Sequence, residues 1–318
     1  MMKSKKLKVG FVGSGNTAKR HAEVVSKFNK YNLVGVFSRK IKNAKNFAKK
    51  FNINNFYDDI HKFKQNEYDL IIFCLPPEKL LSYLKYFINL KTNIFIEKPL
   101  GLNLIESKKI LKLFKNRKYR KMKFFVGYNR RFLGSVLKLK KIISNQSSIR
   151  YIEINDQQDT NKARSLGHDQ LTIKNWMFAN SIHTIDFFVF LMRGKLKIFN
   201  TKKIKFKNSY IITCNIVSSH GDFGRYIGYW NIPSNWSVSL INDQNILNLS
   251  PLEEIIVKKK LKNIKYKNFV IDKKFKPGFY NQFREIDNAL SNKKNYAVTI
   301  FDAIKSVQII DKIYEISK

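Results

Sequence analysis

Residues 7–18 read LKVGFVGSGNTA. The first six suit a short strand buried on both faces, and a glycine turn leads into helical spacing over residues 16–28. The turn is Gly13-x-Gly15-x-x-Ala18. Gly13 permits the tight bend, Gly15 lets the backbone approach a pyrophosphate, and Ala18 lets helix and strand pack closely. Unpaired N–H groups and the positive dipole end at the helix start would then face the phosphates. The stretch predicts a dinucleotide site built from Gly13, Ser14, Gly15, Asn16, Thr17 and Ala18.

Strand patterns follow at residues 31–37, 69–75, 93–96 and 123–127, with helical patterns at 43–51, 77–90 and 106–114 between them. This alternation predicts an α/β domain, a Rossmann doubly wound parallel sheet over residues 1–125. Beyond it the pattern changes. A helix at 134–143 leads to period-2 stretches at 149–154, 209–217, 223–230 and 236–241. One helix at 176–192 interrupts them, and helices at 280–290 and 298–316 close the chain. Residues 126–318 are thus expected to form an α+β domain with an open, mainly antiparallel sheet, serving substrate binding and oligomerisation. The helix at 298–316 is expected to pack back on the Rossmann domain.

The formal net charge is +38, from 61 Lys+Arg against 23 Asp+Glu. Nucleic acid would be the obvious partner for such a charge. Two counts argue against a specific one. Only 11 of the 61 basic residues are Arg, the side chain that reads phosphate and guanine bidentately, and Asn, which carries no charge, occurs 33 times. A codon bias explains both. Cys74 and Cys214 are the only cysteines and form no metal-ligand spacing, and no metal is expected. The N-terminus runs into a strand without an apolar signal core, and no apolar run approaches membrane-spanning length. A cytoplasmic protein without membrane contact is the expectation.

The residue ending the second strand distinguishes NAD from NADP. An acidic side chain there would hold the ribose 2′-OH of NAD. Here the sequence is Ser38-Arg39-Lys40, a hydroxyl and two cations that suit a 2′-phosphate. NADP is the preferred cofactor and NAD the alternative.

Residues 94–100 read IFIEKPL. Further along come Leu75-Pro76-Pro77, the stretch Gly127-Tyr128-Asn129-Arg130-Arg131-Phe132, the segment Ile182-His183-Thr184-Ile185-Asp186, and the closing PGFYNQF. Together with the glycine turn, these resemble the glucose-fructose oxidoreductase, inositol dehydrogenase and MocA family over nearly the whole chain. The resemblance implies hydride transfer between a nicotinamide and a hydroxyl or carbonyl carbon of a sugar, sugar nucleotide or related polyol. It places Leu75, Pro76, Glu97 and Lys98 at the cofactor, and Tyr128, Arg130, Asn180 and His183 at the substrate. Lys98 and His183 would handle the proton that such a transfer moves on or off oxygen, with Asp186 as a third member of the catalytic group. It also implies a homo-oligomer, a dimer or tetramer, through the C-terminal sheet.

Two positions depart from the family. An Asp that often precedes the histidine by one helical turn is Ala179 here, which cannot relay a proton, so Asn180 or Asp169 would take over part of its role. Leu80 stands where a histidine often follows the proline pair. A cofactor-retaining reaction without net redox, of glycosidase or epimerase type, is the alternative activity. A basic nucleic-acid or regulatory binding protein is the third.

Overall fold

The computed structural model describes residues 6–88, 91–115, 122–260 and 262–315. Contacts divide the chain into two units, Met1–Gly127 with Gln282–Ile304, and Tyr128–Asn281 with Lys305–Lys318. The segment Gln282–Ile304 thus groups with the first unit.

In the first unit the elements are β1 (Leu7–Val12), α1 (Asn16–Val25), β2 (Tyr31–Phe37), α2 (Ile41–Phe51), β3 (Asn55–Tyr57) and α3 (Ile60–Lys64), followed by β4 (Leu70–Phe73), α4 (Pro77–Leu84), β5 (Asn93–Ile96), α5 (Leu104–Phe114) and β6 (Phe124–Val126). The sheet order is β3-β2-β1-β4-β5-β6, and every pair is parallel. This is the doubly wound Rossmann order. Continuous apolar runs produce it, because strands covered by helices on both faces bury every residue. Leu70, Ile71, Ile72 and Phe73 are all buried. The edge strand β3, only Asn-Phe-Tyr, is too short to leave a period in the sequence. Helix α1 stops at Val25, three residues before the expected end. Lys27 and Phe28 then donate to the carbonyls of Val24 and Val25, tightening the chain into a turn.

The second unit holds α6 (Gly134–Ile143), β7 (Tyr151–Gln158), α7 (Thr160–Ser165), α8 (Gln170–Lys174), a π turn at Met177–Ser181, α9 (Ile182–Leu191) and β8 (Leu196–Lys205). After these come β9 (Tyr210–Ser218), β10 (Phe223–Trp230), β11 (Ser237–Ile241), β12 (Ile246–Leu249), β13 (Ile255–Lys259), β14 (Lys262–Tyr266) and α10 (Val270–Lys274). The last two helices are α11 (Phe279–Leu290) and α12 (Ile300–Glu315). Eight strands form an open sheet in the order β14-β13-β12-β11-β7-β10-β9-β8, antiparallel except for β7 with β10. The expected helix at 176–192 is two pieces, because the π turn interrupts it ahead of α9. Strand β8 escaped the sequence reading because lysines fill it and its pairing with β9 shifts register between Phe199 and Lys202.

Strand β7 also runs further than its apolar pattern. Its alternate residues Ile152, Ile154, Asp156 and Gln158 are all fully buried. Two of these four inward positions are polar, so the apolar period ends at Ile154 while the strand does not. No helix among the described residues is long and apolar enough to cross a membrane.

Candidate functional site

Register brings the predicted cofactor residues to one edge of the first sheet. Phe37, Val12, Phe73, Ile96 and Val126 are aligned partners across β2, β1, β4, β5 and β6. Ser38, Gly13, Cys74, Glu97 and Gly127 therefore leave the sheet at the same level, each N–H held by a carbonyl of a neighbouring strand. In an open parallel sheet, this carboxyl edge is where ligands bind.

Gly13 has φ +105°, and a Cβ there would lie 2.2 Å from the Cys74 carbonyl oxygen, so only glycine fits. At Gly15 nothing lies within 4 Å of a Cβ position, which leaves the turn open on its outer side. Helix α1 begins with neither a side-chain cap nor an acidic residue in its first turn. Its first amides are thus available to an anion, and the dipole favours one. The residues present fit a dinucleotide. Gly13, Ser14, Gly15, Asn16, Thr17 and Ala18 would hold its pyrophosphate, and Ser38 and exposed Arg39 follow β2 where the adenosine ribose would lie. Half-buried Leu75 and exposed Pro76 follow β4, and half-buried Lys98 follows β5.

Glu97, expected among the cofactor contacts, has a protein partner. Its Oε1 is 2.5 Å from Nε2 of buried His21. The carboxylate therefore ties β5 to α1. His21 was missed, although it lies three residues beyond Ala18 on the buried face of α1. Leu80, at the departing position, is buried in α4 and belongs to the core.

In the second unit His183 lies in the first turn of α9 and is 6 % exposed. Its ring centroid is 6.3 Å from that of Trp236. The Arg130 guanidinium lies 5.6 Å from the same Trp236 ring and donates to Glu253 at 2.9 Å. Trp236 is fixed by its indole N–H, which donates to the Gln157 carbonyl at 2.8 Å. It lines two clefts. One, of about 340 Å³, includes Arg130, Pro251 and Glu253. The other, of about 220 Å³, includes Asn180, Trp176 and Lys162. Trp236 is thus a shared wall for three of the predicted substrate groups, and nothing in its local sequence marks it.

Two of the expected site residues are buried. Asp186 is 0 % exposed, and its carboxylate receives Arg131 at 2.6 and 2.8 Å and the Ser306 hydroxyl at 2.8 Å. That carboxylate is taken up by these two partners. Tyr128 is 1 % exposed. Burial, and the nearby Asp186 charge, push its phenol well above the usual range. Asp169, a candidate to replace the missing acid at Ala179, caps α8 instead. Its carboxylate accepts from the Thr172 amide at 2.9 Å and hydroxyl at 2.7 Å, and these bonds hold it below the usual carboxylate range. Ala179 itself is buried in the π turn. The neighbouring Asn180 is half-buried and donates to Gln158 at 2.8 Å.

Residues 7–128 match the family described as oxidoreductases with an NAD-binding Rossmann fold. A glucose-6-phosphate 3-dehydrogenase of Bacillus subtilis is 29 % identical over 142 residues, 43 % of this chain and 38 % of that protein. A myo-inositol 2-dehydrogenase of Thermotoga maritima is 24 % identical over 140 residues, 44 % of this chain and 41 % of that one. These alignments cover well under half of either relative. In fold the likeness runs the whole length. A dehydrogenase from Chromobacterium violaceum superposes with a TM-score of 0.84 at 17 % identity, covering 98 % of this chain and 95 % of that one.

Proposed function

We propose that the chain, whose residues 7–128 match the family described as oxidoreductases with an NAD-binding Rossmann fold, oxidises a hydroxyl carbon, or reduces the matching carbonyl, on a sugar, polyol or sugar nucleotide, as its resemblance to the glucose-fructose oxidoreductase, inositol dehydrogenase and MocA family implies. The observation that carries this reading is the common level at which β1, β4 and β5 deliver the glycine turn, Leu75 and Lys98. A bound nicotinamide supplies the hydride donor or acceptor. Lys98 donates a hydrogen bond to the reacting oxygen and stabilises charge developing there. His183 takes up or returns the proton. Arg130 and Asn180 contact substrate hydroxyls. Asp186 acts through Arg131, as a positioning residue.

Ser38 and Arg39 favour NADP over NAD. The outward residues of the second sheet, among them Tyr151, Asn155 and Tyr229, are half-buried and support a homo-oligomer formed through that sheet.

The test is turnover, followed at 340 nm with NADP and NAD, across glucose, glucose 6-phosphate, myo-inositol and UDP-N-acetylglucosamine. Lys98→Ala is expected to abolish turnover while cofactor binding persists. His183→Ala is expected to slow turnover strongly and change its pH profile. Unchanged turnover in both variants overturns the assignment of the proton-handling pair.

A further inference from the structure

A chain of side-chain hydrogen bonds runs beneath Asn180, and its direction is fixed. The Trp230 indole N–H is 3.0 Å from the Tyr314 hydroxyl oxygen. An indole can only donate, so Tyr314 accepts there. The Tyr226 hydroxyl donates to Asp156 Oδ2 at 2.7 Å and lies 3.0 Å from Tyr314. Tyr314 must then donate to Tyr226. On the other Asp156 oxygen, Gln158 Nε2 donates at 2.6 Å, and Gln158 Oε1 accepts from Asn180 Nδ2 at 2.8 Å. Asp156, Gln158 and Tyr226 are each 0 % exposed. Burial holds the Asp156 carboxyl above the usual carboxylate range, and the donors around it, Tyr226 first, offset only part of that rise.

We propose that Asp156, acting through Gln158, fixes which end of the Asn180 amide faces the cleft between Trp176 and Trp236. A carboxylate only accepts, so it claims the nitrogen of Gln158. Gln158 must then turn its oxygen to Asn180, and Asn180 must spend its nitrogen on Gln158. The Asn180 oxygen is left to the cleft. An acceptor between two indole walls selects a ligand group that donates, a hydroxyl on a ring whose C–H faces pack against the aromatics. Asp156 and Gln158 are specificity-determining positioning residues that never touch the ligand. The inference rests on the sugar or polyol reading above for the identity of that ligand.

A single isosteric change inverts the relay. In Asp156→Asn, Tyr226 still donates to the remaining oxygen, so the new amide nitrogen faces Gln158. Gln158 turns over, Asn180 turns over after it, and a donor faces the cleft. A hydroxyl binds either form, because it both donates and accepts. A fluorine replacing that hydroxyl only accepts.

The experiment compares each turned-over polyol with its deoxyfluoro analogues at non-reacting positions. The wild-type protein is expected to disfavour one analogue in kcat/KM by about tenfold or more, the usual scale for an acceptor left unpaired. Asp156→Asn is expected to reduce that ratio to about threefold or less, mainly through KM of the analogue, and Gln158→Leu to reduce it without inversion. A ratio unchanged in Asp156→Asn, or no discrimination by the wild-type protein at any position, overturns the proposal. The relay is also read without substrate, from the side-chain amide resonances of the ¹⁵N-Asn-labelled full chain. The Asn180 NH₂ protons should exchange slowly in the wild-type protein and quickly in Asp156→Asn and Gln158→Leu. Equal exchange in all three overturns the relay. If the relay holds and no sugar or polyol is turned over, the functional reading fails and the relay stands.

Discussion

His21 Nε2 lies 2.5 Å from Glu97 Oε1, and the contact joins α1, the helix that follows the glycine turn, to the end of β5, which leads into Lys98. The two groups come from residues 76 apart in sequence. His21 also packs edge-on against Phe95, with ring centroids 4.9 Å apart. On its far side Glu97 meets Gly127, where an added Cβ would lie 3.0 Å from Oε1. The carboxylate is thus enclosed, and the backbone that aims Lys98 is held from two directions.

Removing one partner of a buried pair leaves the other without compensation, which costs about 3 kcal/mol. His21→Ala is therefore expected to lower the unfolding free energy from urea titration by that amount and to weaken NADP binding. His21→Gln keeps a donor toward Glu97 and should recover more than half of the loss. An unfolding free energy for His21→Ala within about 0.5 kcal/mol of the wild-type protein would show that the pair is dispensable.

Legibility in the sequence followed covalent locality. Gly13-x-Gly15 could be read because the backbone itself demands those residues, and the demand sits within one turn. Buried parallel strands could be read because burial on both faces makes them uniformly apolar. His21, Trp236 and Asp156 could not. Each draws its role from a partner far along the chain: Glu97 for His21, Arg130 and His183 for Trp236, Tyr226 for Asp156. Polar Asp156 and Gln158 also hid the second half of β7, because polar residues on a buried face erase the alternation that reveals a strand. Asp186 was read from its place on the His183 helix, and its partners were not legible. Its spacing from His183 suggested chemistry, whereas Arg131 and Ser306 claim its carboxylate.

The Arg131–Asp186 pair is bidentate and buried, and Arg131 also lies 4.8 Å from the Phe190 ring. Asp186→Ala strands the guanidinium and is expected to cost about 4 kcal/mol in a urea titration. The paired change Asp186→Leu with Arg131→Met should cost far less, because an apolar pair of similar volume needs no desolvation. Equal losses from the single and paired changes would contradict a compensating pair.

Arg39 is exposed at the end of β2, one residue beyond Ser38. If it meets a 2′-phosphate, Arg39→Ala should weaken NADPH binding by about tenfold, the scale of one charge-assisted hydrogen bond, and leave NADH binding within about twofold. Fluorescence titration of both nucleotides decides this. An equal loss for both would assign Arg39 to the adenine instead.

Lys140 supplies a pH test of the second unit. Its Nζ donates to the Phe190 carbonyl at 2.6 Å and lies 4.7 Å from the Phe190 ring. Burial, with the charges of Arg150 and Arg131 behind it, lowers its pKa from 10.5 to about 8. Between these values the unfolded chain holds a proton that the folded one has lost, so stability rises with pH across that window. Below about 8 both states are protonated, and the full cost of the buried charge is present. The wild-type urea midpoint is therefore expected to climb from pH 7.5 to 9.5, an interval that enters the lower part of this window. Lys140→Met removes the titrating group, so its midpoint should start higher at pH 7.5 and stay level over the same interval. A wild-type midpoint that falls across it, or a variant that climbs in parallel, would mean that the Lys140 ammonium is fully solvated in the folded protein.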